Sequence, residues 1–401
     1  MNAKNYNLYW GDIHIHSAVS RRCFNFGLEP EGYNGRPLDC YRFAREIAGL
    51  DFAAVTDHDC TAMAREMTEE EWQEVLNAAE KMNKEGKFVT IPAYEYSNRL
   101  YGHYNVYFLD KDAKLFSCDI YKKPSQLWKA LQNYNQEAIT IPHHTARFKT
   151  LVNWDYCEEK FEPVTEITSC WGDYEYAGND FECDPNWSPS IPGHFVRDAL
   201  QKGYMLGFVG GGDIHNGRSG GVFNIDVHKM KELPKNLKSM LRYRIHPFGG
   251  GLTGVYAKKL SRKDIFNAIK ERRCYAASGY KIGLKFYLNE HIMGEVSQLD
   301  KEYPARLKVD VNSPHSIHCI EIIRNGHILA RGGAGGREEI ELSDGGNKAR
   351  FEFIDKFKDA FRGEVFPEIK SPNGKQLIYY YARVTLKNGA KAWSSPIWLE
   401  K

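Results

Sequence analysis

Through roughly the first 280 residues, short apolar runs alternate with stretches whose apolar positions recur at helical spacing. "YRFAREIAG" (41–49) predicts a helix closed by Gly49, and "LDFAAVTDHD" (50–59) a buried strand that ends in polar residues. "TEEEWQEVLNAAEKMNKEG" (68–86) predicts an amphipathic helix with Thr68 as its N-cap and Gly86 as its stop. "KFVTIPAYEYS" (87–97), "HYNVYFL" (103–109) and "EAITIPHH" (137–144) read as strands, with a helix at "SQLWKALQNYN" (125–135) before the last of them. A further helix, "GHFVRDALQKG" (193–203), leads into the strand-like "YMLGFVGGGDIH" (204–215). This βαβα rhythm predicts an α/β layer or barrel on parallel strands, spanning residues 1–281.

From residue 282 the period changes to two. "GLKFYLNEH", "ARLKVDVNS", "IEIIRNGHIL" and "IYYYARVTLKNGAKAWSSPIWLE" alternate polar with β-branched or aromatic residues, with Asn-Gly turns at 325–326 and 388–389. A small all-β, sandwich-like domain over 282–401 is the expectation. Trp393, Trp398 and Tyr379–Tyr381 fit its core, or alternatively a platform on which sugars stack. Packed against the first domain, this unit would wall a cleft.

Composition narrows the function classes. A length of 401 residues suggests two domains, and 42% apolar with 26% charged residues is ordinary for globular chains. The net charge of +2 provides no field to gather nucleic acid. Nine cysteines without a C-x-x-C pair argue against both a disulfide framework and a zinc ribbon. "MNAKNYN" lacks the apolar core of a leader and no apolar run would cross a bilayer, so a cytoplasmic protein is expected.

The chemistry is concentrated in histidines and carboxylates. "YWGDIHIHSAVS" (9–20) sets His14 and His16 on one face of a strand. Asp57-His58, Glu95, His103, His143-His144 and Asp213-x-His215 each fall where an apolar strand is expected to stop. In parallel α/β folds, active sites assemble at the carboxyl ends of strands. Imidazoles and carboxylates without thiolates suit Zn, Mn or Fe, and Glu95 could bridge two such ions. Arg147 and Arg218 flank His143 and His215 and could hold a substrate phosphate bidentately. "GRSGG" (217–221) matches a serine-hydrolase elbow, but "GVFNIDV" after it reads as a strand where a helix is required. The glycines of "GGGDIHNG" and "HPFGGGLTG" either cradle a phosphate or tighten loops beside a crowded site.

The ordered set "GDIHIHS", "VTDHD", "PAYEYS", "GHYN", "IPHH" and "GGDIH" resembles the PHP (polymerase and histidinol phosphatase) superfamily of metal-dependent phosphoesterases. "GLTGVYAKKLSRKDIFNAIKERRCYAASG", with "YYYARVTLKNGAKAWSSPIW", is similar to its DUF3604 branch. The resemblance implies a distorted (β/α)7 barrel. It implies one cation on His14, His16, Glu95 and Asp213, and a second on Glu95, His103 and His143, with His144 the ambiguous neighbour. A third, where present, would use His58 and His215 with an acid that follows the H-x-H run. Here Arg21 and Arg22 stand at that place, so two divalent cations are expected, and these arginines would grip the substrate instead. The expected activity is hydrolysis of a small phosphorylated molecule by metal-activated water, with Asp213, His215 and His58 catalytic. Two alternatives use the same residues: amide hydrolysis, or metal and carbohydrate binding without turnover.

Overall fold

The protein is described from a computed structural model that covers residues 6–20, 34–61, 66–183, 188–215, 217–220, 248–299, 304–357 and 368–401. Arg21 and Arg22 lie outside these residues. The fold is mixed α/β, rich in strands and poor in helices.

The expected elements form, most with shorter bounds, while the first helix starts at Pro37 and ends at Glu46, ahead of its expected place. Strand β1 runs Asn7–Ile15. Helix α1 (Pro37–Glu46) starts on a proline and precedes β2 (Phe52–Val55). Helix α2 (Glu69–Met82) carries the capping box that its sequence spells, Thr68 accepting from Glu71 N and Glu71 returning the bond. It buries Trp72, Val75, Leu76, Ala79 and Met82 on one face, and Asn83 ends it before Gly86. Then come β3 (Val89–Thr90), β4 (Ala93–Asn98), β5 (Gly102–Phe108), α3 (Pro124–Gln132) and β6 (Ala138–His143). Next follow β7 (Val164–Ser169), β8 (Gly172–Asp173), α4 (Val196–Gln201), β9 (Gly207–Gly210), β10 (Gly251–Ala257) and β11 (Cys274–Ser278).

These strands do not close into the expected seven-stranded (β/α) barrel. β1, β2 and β3 pair in parallel, as do β7 and β9. β4, β5 and β6, however, form an antiparallel sheet of their own, and β1 meets β10 antiparallel. The reason lies in the connections. Residues 99–101 are all that separates β4 from β5, far too few for a crossover, so the chain must turn back as a hairpin. Isolated bridges, Ile15 to Ile214 and His58 to Glu95, join the small sheets at one end.

From Gly283 onward the described regular structure is β apart from one 3-10 turn. Its strands do not stand apart. Lys391–Ser394 pairs with β11, so the sheet that begins at β3 continues into Gln376–Leu386 and Ile397–Glu400. Tyr379, Tyr380, Tyr381, Trp393 and Trp398 are buried to within 1%. The sugar-platform reading therefore fails, because no aromatic face is left for a ligand.

A charged knot locks this junction. The Glu175 carboxylate accepts from Tyr381 Oη, Arg383 Nη1 and Trp393 Nε1, each at 2.7 Å. Burial alone would raise its pKa, but the guanidinium groups of Arg383 and Arg197 hold it below its ordinary 4.5. A carboxyl depressed in this way stabilises the fold fully above its unfolded pKa and loses that contribution as pH falls through the folded value. The gap in urea midpoint between wild type and Glu175→Gln should accordingly narrow as pH drops below 4.5. A gap that stays constant from pH 7 downward would show that Glu175 stabilises nothing through its charge.

Candidate metal centre

Glu95 lies within β4, contrary to its expected place at a strand end, and is 1% exposed with five imidazoles around it. Its Oε2 is 3.1 Å from His16 Nε2, 2.9 Å from His58 Nδ1 and 3.8 Å from His14 Nε2. Its Oε1 bonds His103 Nδ1 and lies 3.3 Å from His143 Nε2. The hairpin explains why His103, near the start of β5, joins residues from strand ends. Antiparallel register sets Ser97 opposite His103, and His103 opposite His143.

Asp213 closes the other side, its Oδ1 3.1 Å from His16 Nε2 and 3.5 Å from His14 Nε2. Its backbone N–H donates to His14 O, and His16 N–H to Ile214 O, which clamps the "GGDIH" turn onto β1. Asp213 takes φ +50° and His144 φ +32°, left-handed conformations that cost non-glycine residues about 1–3 kcal/mol each. Both strained residues face this site. His144 is held by Thr150 Oγ1 at 2.8 Å, and its Nε2 is 3.9 Å from Asp213 Oδ2. His215 stacks on His16 with 3.9 Å between ring centroids.

The hydrogen-bond network fixes which nitrogen of each ring carries its proton. Glu166 Oε2, an acceptor, lies 2.9 Å from His14 Nδ1. Ser20 spends its hydroxyl proton on Asp57, so His16 Nδ1–H must donate to Ser20 Oγ at 3.0 Å. Ser97 likewise donates to the Glu95 carbonyl, so His58 Nδ1–H donates to Ser97 Oγ at 2.8 Å. His215 Nδ1–H points to the Asp213 carbonyl. With Nδ1 as the donor, all four rings turn Nε2 inward, and those of His14 and His16 face carboxylate oxygens, a place for a cation or, without one, a proton. Lone pairs aimed at anions repel unless a cation lies between them. His14 Nε2, His58 Nε2 and His103 Nε2 are buried without a hydrogen bond. The residues fit divalent cations. The described donors group as Glu95–His103–His143–His144, His14–His16–Glu95 and His16–His58–His215.

Electrostatics point the same way. Burial lowers His58, His144 and His215, and takes His103 down to about 4, so these rings are neutral at pH 7, as ligands must be. Burial opposes the charge on Glu95 and Asp213, yet the surrounding imidazoles hold both well below the carboxylate range. Burial also pulls His16 down, but Asp213 and Glu95 outweigh it and raise the ring to about 9. Without a metal, a proton takes the cation's place there.

Arg147 is 7% exposed, with its guanidinium 4.4 Å over the Trp171 ring, and the edge of Trp171 meets His215. Arg218 is 9% exposed beside the same turn. Ser219 is fully buried and donates to Cys40 O at 2.7 Å, which leaves the serine-hydrolase motif without a nucleophile at a surface. The glycines after β9 serve packing. A Cβ at Gly211 would overlap Glu166 Oε2, and one at Gly212 would come within 2.5 Å of Asp12 Oδ2. Asp12 itself accepts N–H bonds from His14, Gly212 and Gly220 and ties three segments together. Gly212→Ala should cost roughly 1–3 kcal/mol by this overlap and displace Asp213. Thermal unfolding together with metal titration of that variant checks it, and wild-type values in both would refute the packing account.

Sequence reasoning did not single out Glu166, Ser20, Asp57 or Ser97 as partners of the histidines. One signal was available: Glu166 is a carboxylate in the middle of a fully buried strand, "VTEITS".

Comparison with known proteins adds the following. The profile of a family described as a protein of unknown function, DUF3604, matches residues 54–306. Uncharacterised proteins of Chlamydia trachomatis and Chlamydia muridarum are 28% and 27% identical to it over 98% of its length. The chain spans 58% of each of those relatives. Among solved structures, a two-domain protein from Bacteroides vulgatus, containing a predicted PHP-like metal-dependent phosphoesterase, aligns over all of this chain and 97% of its own. The two share 13% identity with a TM-score of 0.39. PsfC from Pseudomonas syringae aligns over 62% of this chain and 82% of its own, with 13% identity and a TM-score of 0.32.

Proposed function

The chain belongs to the DUF3604 family, and from that premise we propose that it is a metal-dependent hydrolase acting on phosphoesters. The observation that carries the reading is Glu95, a buried carboxylate enclosed by imidazoles whose lone pairs and charges call for cations. Two divalent ions of the Zn, Mn or Fe class are proposed. His14, His16, Glu95 and Asp213 would hold one, and Glu95, His103 and His143 the other, with His144 beside them. Among the described residues the third donor group is His16–His58–His215, which shares His16 with the first. Bound divalent ions supply Lewis acidity and a nucleophile from water near neutral pH.

The protein's own groups account for the rest. Neutral, buried His215 and His58 can take a proton from the attacking water and return it to the leaving oxygen. Asp213, strained and doubly faced by imidazoles, orients the nucleophile. Arg147 and Arg218 would receive the phosphoryl oxygens, which a small anionic substrate requires.

Metal analysis after chelator-free purification should find close to two equivalents per chain. A panel of phosphomonoesters, phosphodiesters, cyclic nucleotides and N-acyl compounds, run with Mn and with Zn, tests the activity. Phosphoester turnover lost on chelation and restored by metal is the expected result. Turnover of N-acyl compounds alone, or full activity in stripped protein, would overturn it.

A further inference from the structure

Glu166 is the charged group closest to a candidate ligand without belonging to the donor set itself. It projects from the buried strand β7, 1% exposed, and its Oε2 lies 2.9 Å from His14 Nδ1. Its other oxygen, Oε1, has no hydrogen-bond partner among the described residues. The backbone is shaped around this contact. At Gly211 any Cβ would overlap Glu166 Oε2 and come within 2.5 Å of His14 Cβ, so a glycine keeps open the slot through which the carboxylate reaches the ring. On the opposite side of the imidazole, His14 Nε2 is buried without a hydrogen bond and lies 3.5 Å from Asp213 Oδ1.

We propose that Glu166 is a positioning residue that locks His14 with its proton on Nδ1 and its lone pair on Nε2, raising the ring's strength as a ligand for a divalent cation. The assignment rests on the metal-centre reading above. A carboxylate behind a ligating imidazole fixes its orientation and adds electron density through the shared proton, and the loss of such a partner weakens metal affinity by about 10–100-fold. The charge matters as well as the bond. A buried anion with one partner is costly unless positive charge lies near it, and a cation on the far side of His14 would provide that charge.

The test is Zn(II) affinity of the full chain, measured by competition with a chromophoric chelator, together with the visible absorption of the Co(II)-loaded protein. Glu166→Gln keeps an acceptor for Nδ1–H but loses the charge, and should weaken the tighter site by about tenfold. Glu166→Ala loses both and should approach a hundredfold. The cobalt bands should shift in both variants. Glu162→Gln is the control: an equally buried carboxyl that accepts from Glu158 N, away from any histidine, and it should match wild type in both readouts. If wild type takes up no zinc, the metal centre and this role fall together. If wild type binds tightly and both Glu166 variants bind equally well with unchanged cobalt bands, the metal centre stands and the role of Glu166 is overturned. Should Glu166→Ala not fold, the Gln variant decides alone.

Discussion

Glu95→Ala protein should fold, lose most of its bound metal and turn over substrate more than about 10³-fold slower than wild type, beyond the loss of any single hydrogen-bond donor. The size of the effect follows from position. One oxygen faces His14, His16 and His58, and the other faces His103 and His143, so a single deletion strips a ligand from both proposed cations. Glu95→Gln separates charge from shape. Its amide fills the same space but cannot neutralise two dications, so metal content should fall nearly as far. Metal analysis and kinetics on the same samples decide the matter. A Glu95→Ala enzyme with two bound ions and wild-type rate would dismiss the proposed site.

Arg383→Met should lower stability by about 3–5 kcal/mol, the cost of removing one partner from a buried ion pair. Arg383 bonds Glu175 at 2.7 Å and Glu321 at 2.8 Å, and it leans on the Tyr176 ring. Without it, two buried carboxylates face each other across the junction. The triple variant Glu175→Gln, Glu321→Gln, Arg383→Met should regain part of the loss, since neither buried carboxylate is then charged, while Arg197 and Arg331 lose their partners. Urea unfolding of the single and triple variants measures both. If Arg383→Met unfolds at the wild-type midpoint, the knot contributes nothing to stability.

Much of the centre could be read from the chain because its donors are distinctive residue types at the borders of apolar runs. His14 and His16 share a face through strand periodicity alone, and Glu95 interrupts "PAYEYS" where a buried strand should end. Sheet direction was harder. Parallel strands were expected throughout, although residues 99–101 leave room only for a hairpin, and that length was visible in the sequence. The partners behind the ligands were hidden for a different reason. Ser20, Ser97 and Asp57 are common polar residues whose meaning appears only when a distant backbone is brought alongside. Glu166 meets His14 across 152 positions of chain, a separation that no local pattern can reveal.

The β4–β5 hairpin also orders the site in time. Glu95 and His103 are eight residues apart, and His143 joins them within 48, so this half rests on short-range contacts. The other half needs Asp12 to find Gly212 across 200 residues, a loop closure that comes late because its entropy must be lost before any contact compensates. During synthesis, Glu95, His103 and His143 leave the ribosome well before Asp213 exists. The β4–β5 hairpin and β6 thus gather Glu95, His103 and His143 first, and the remaining residues of the site close around a half that is already formed.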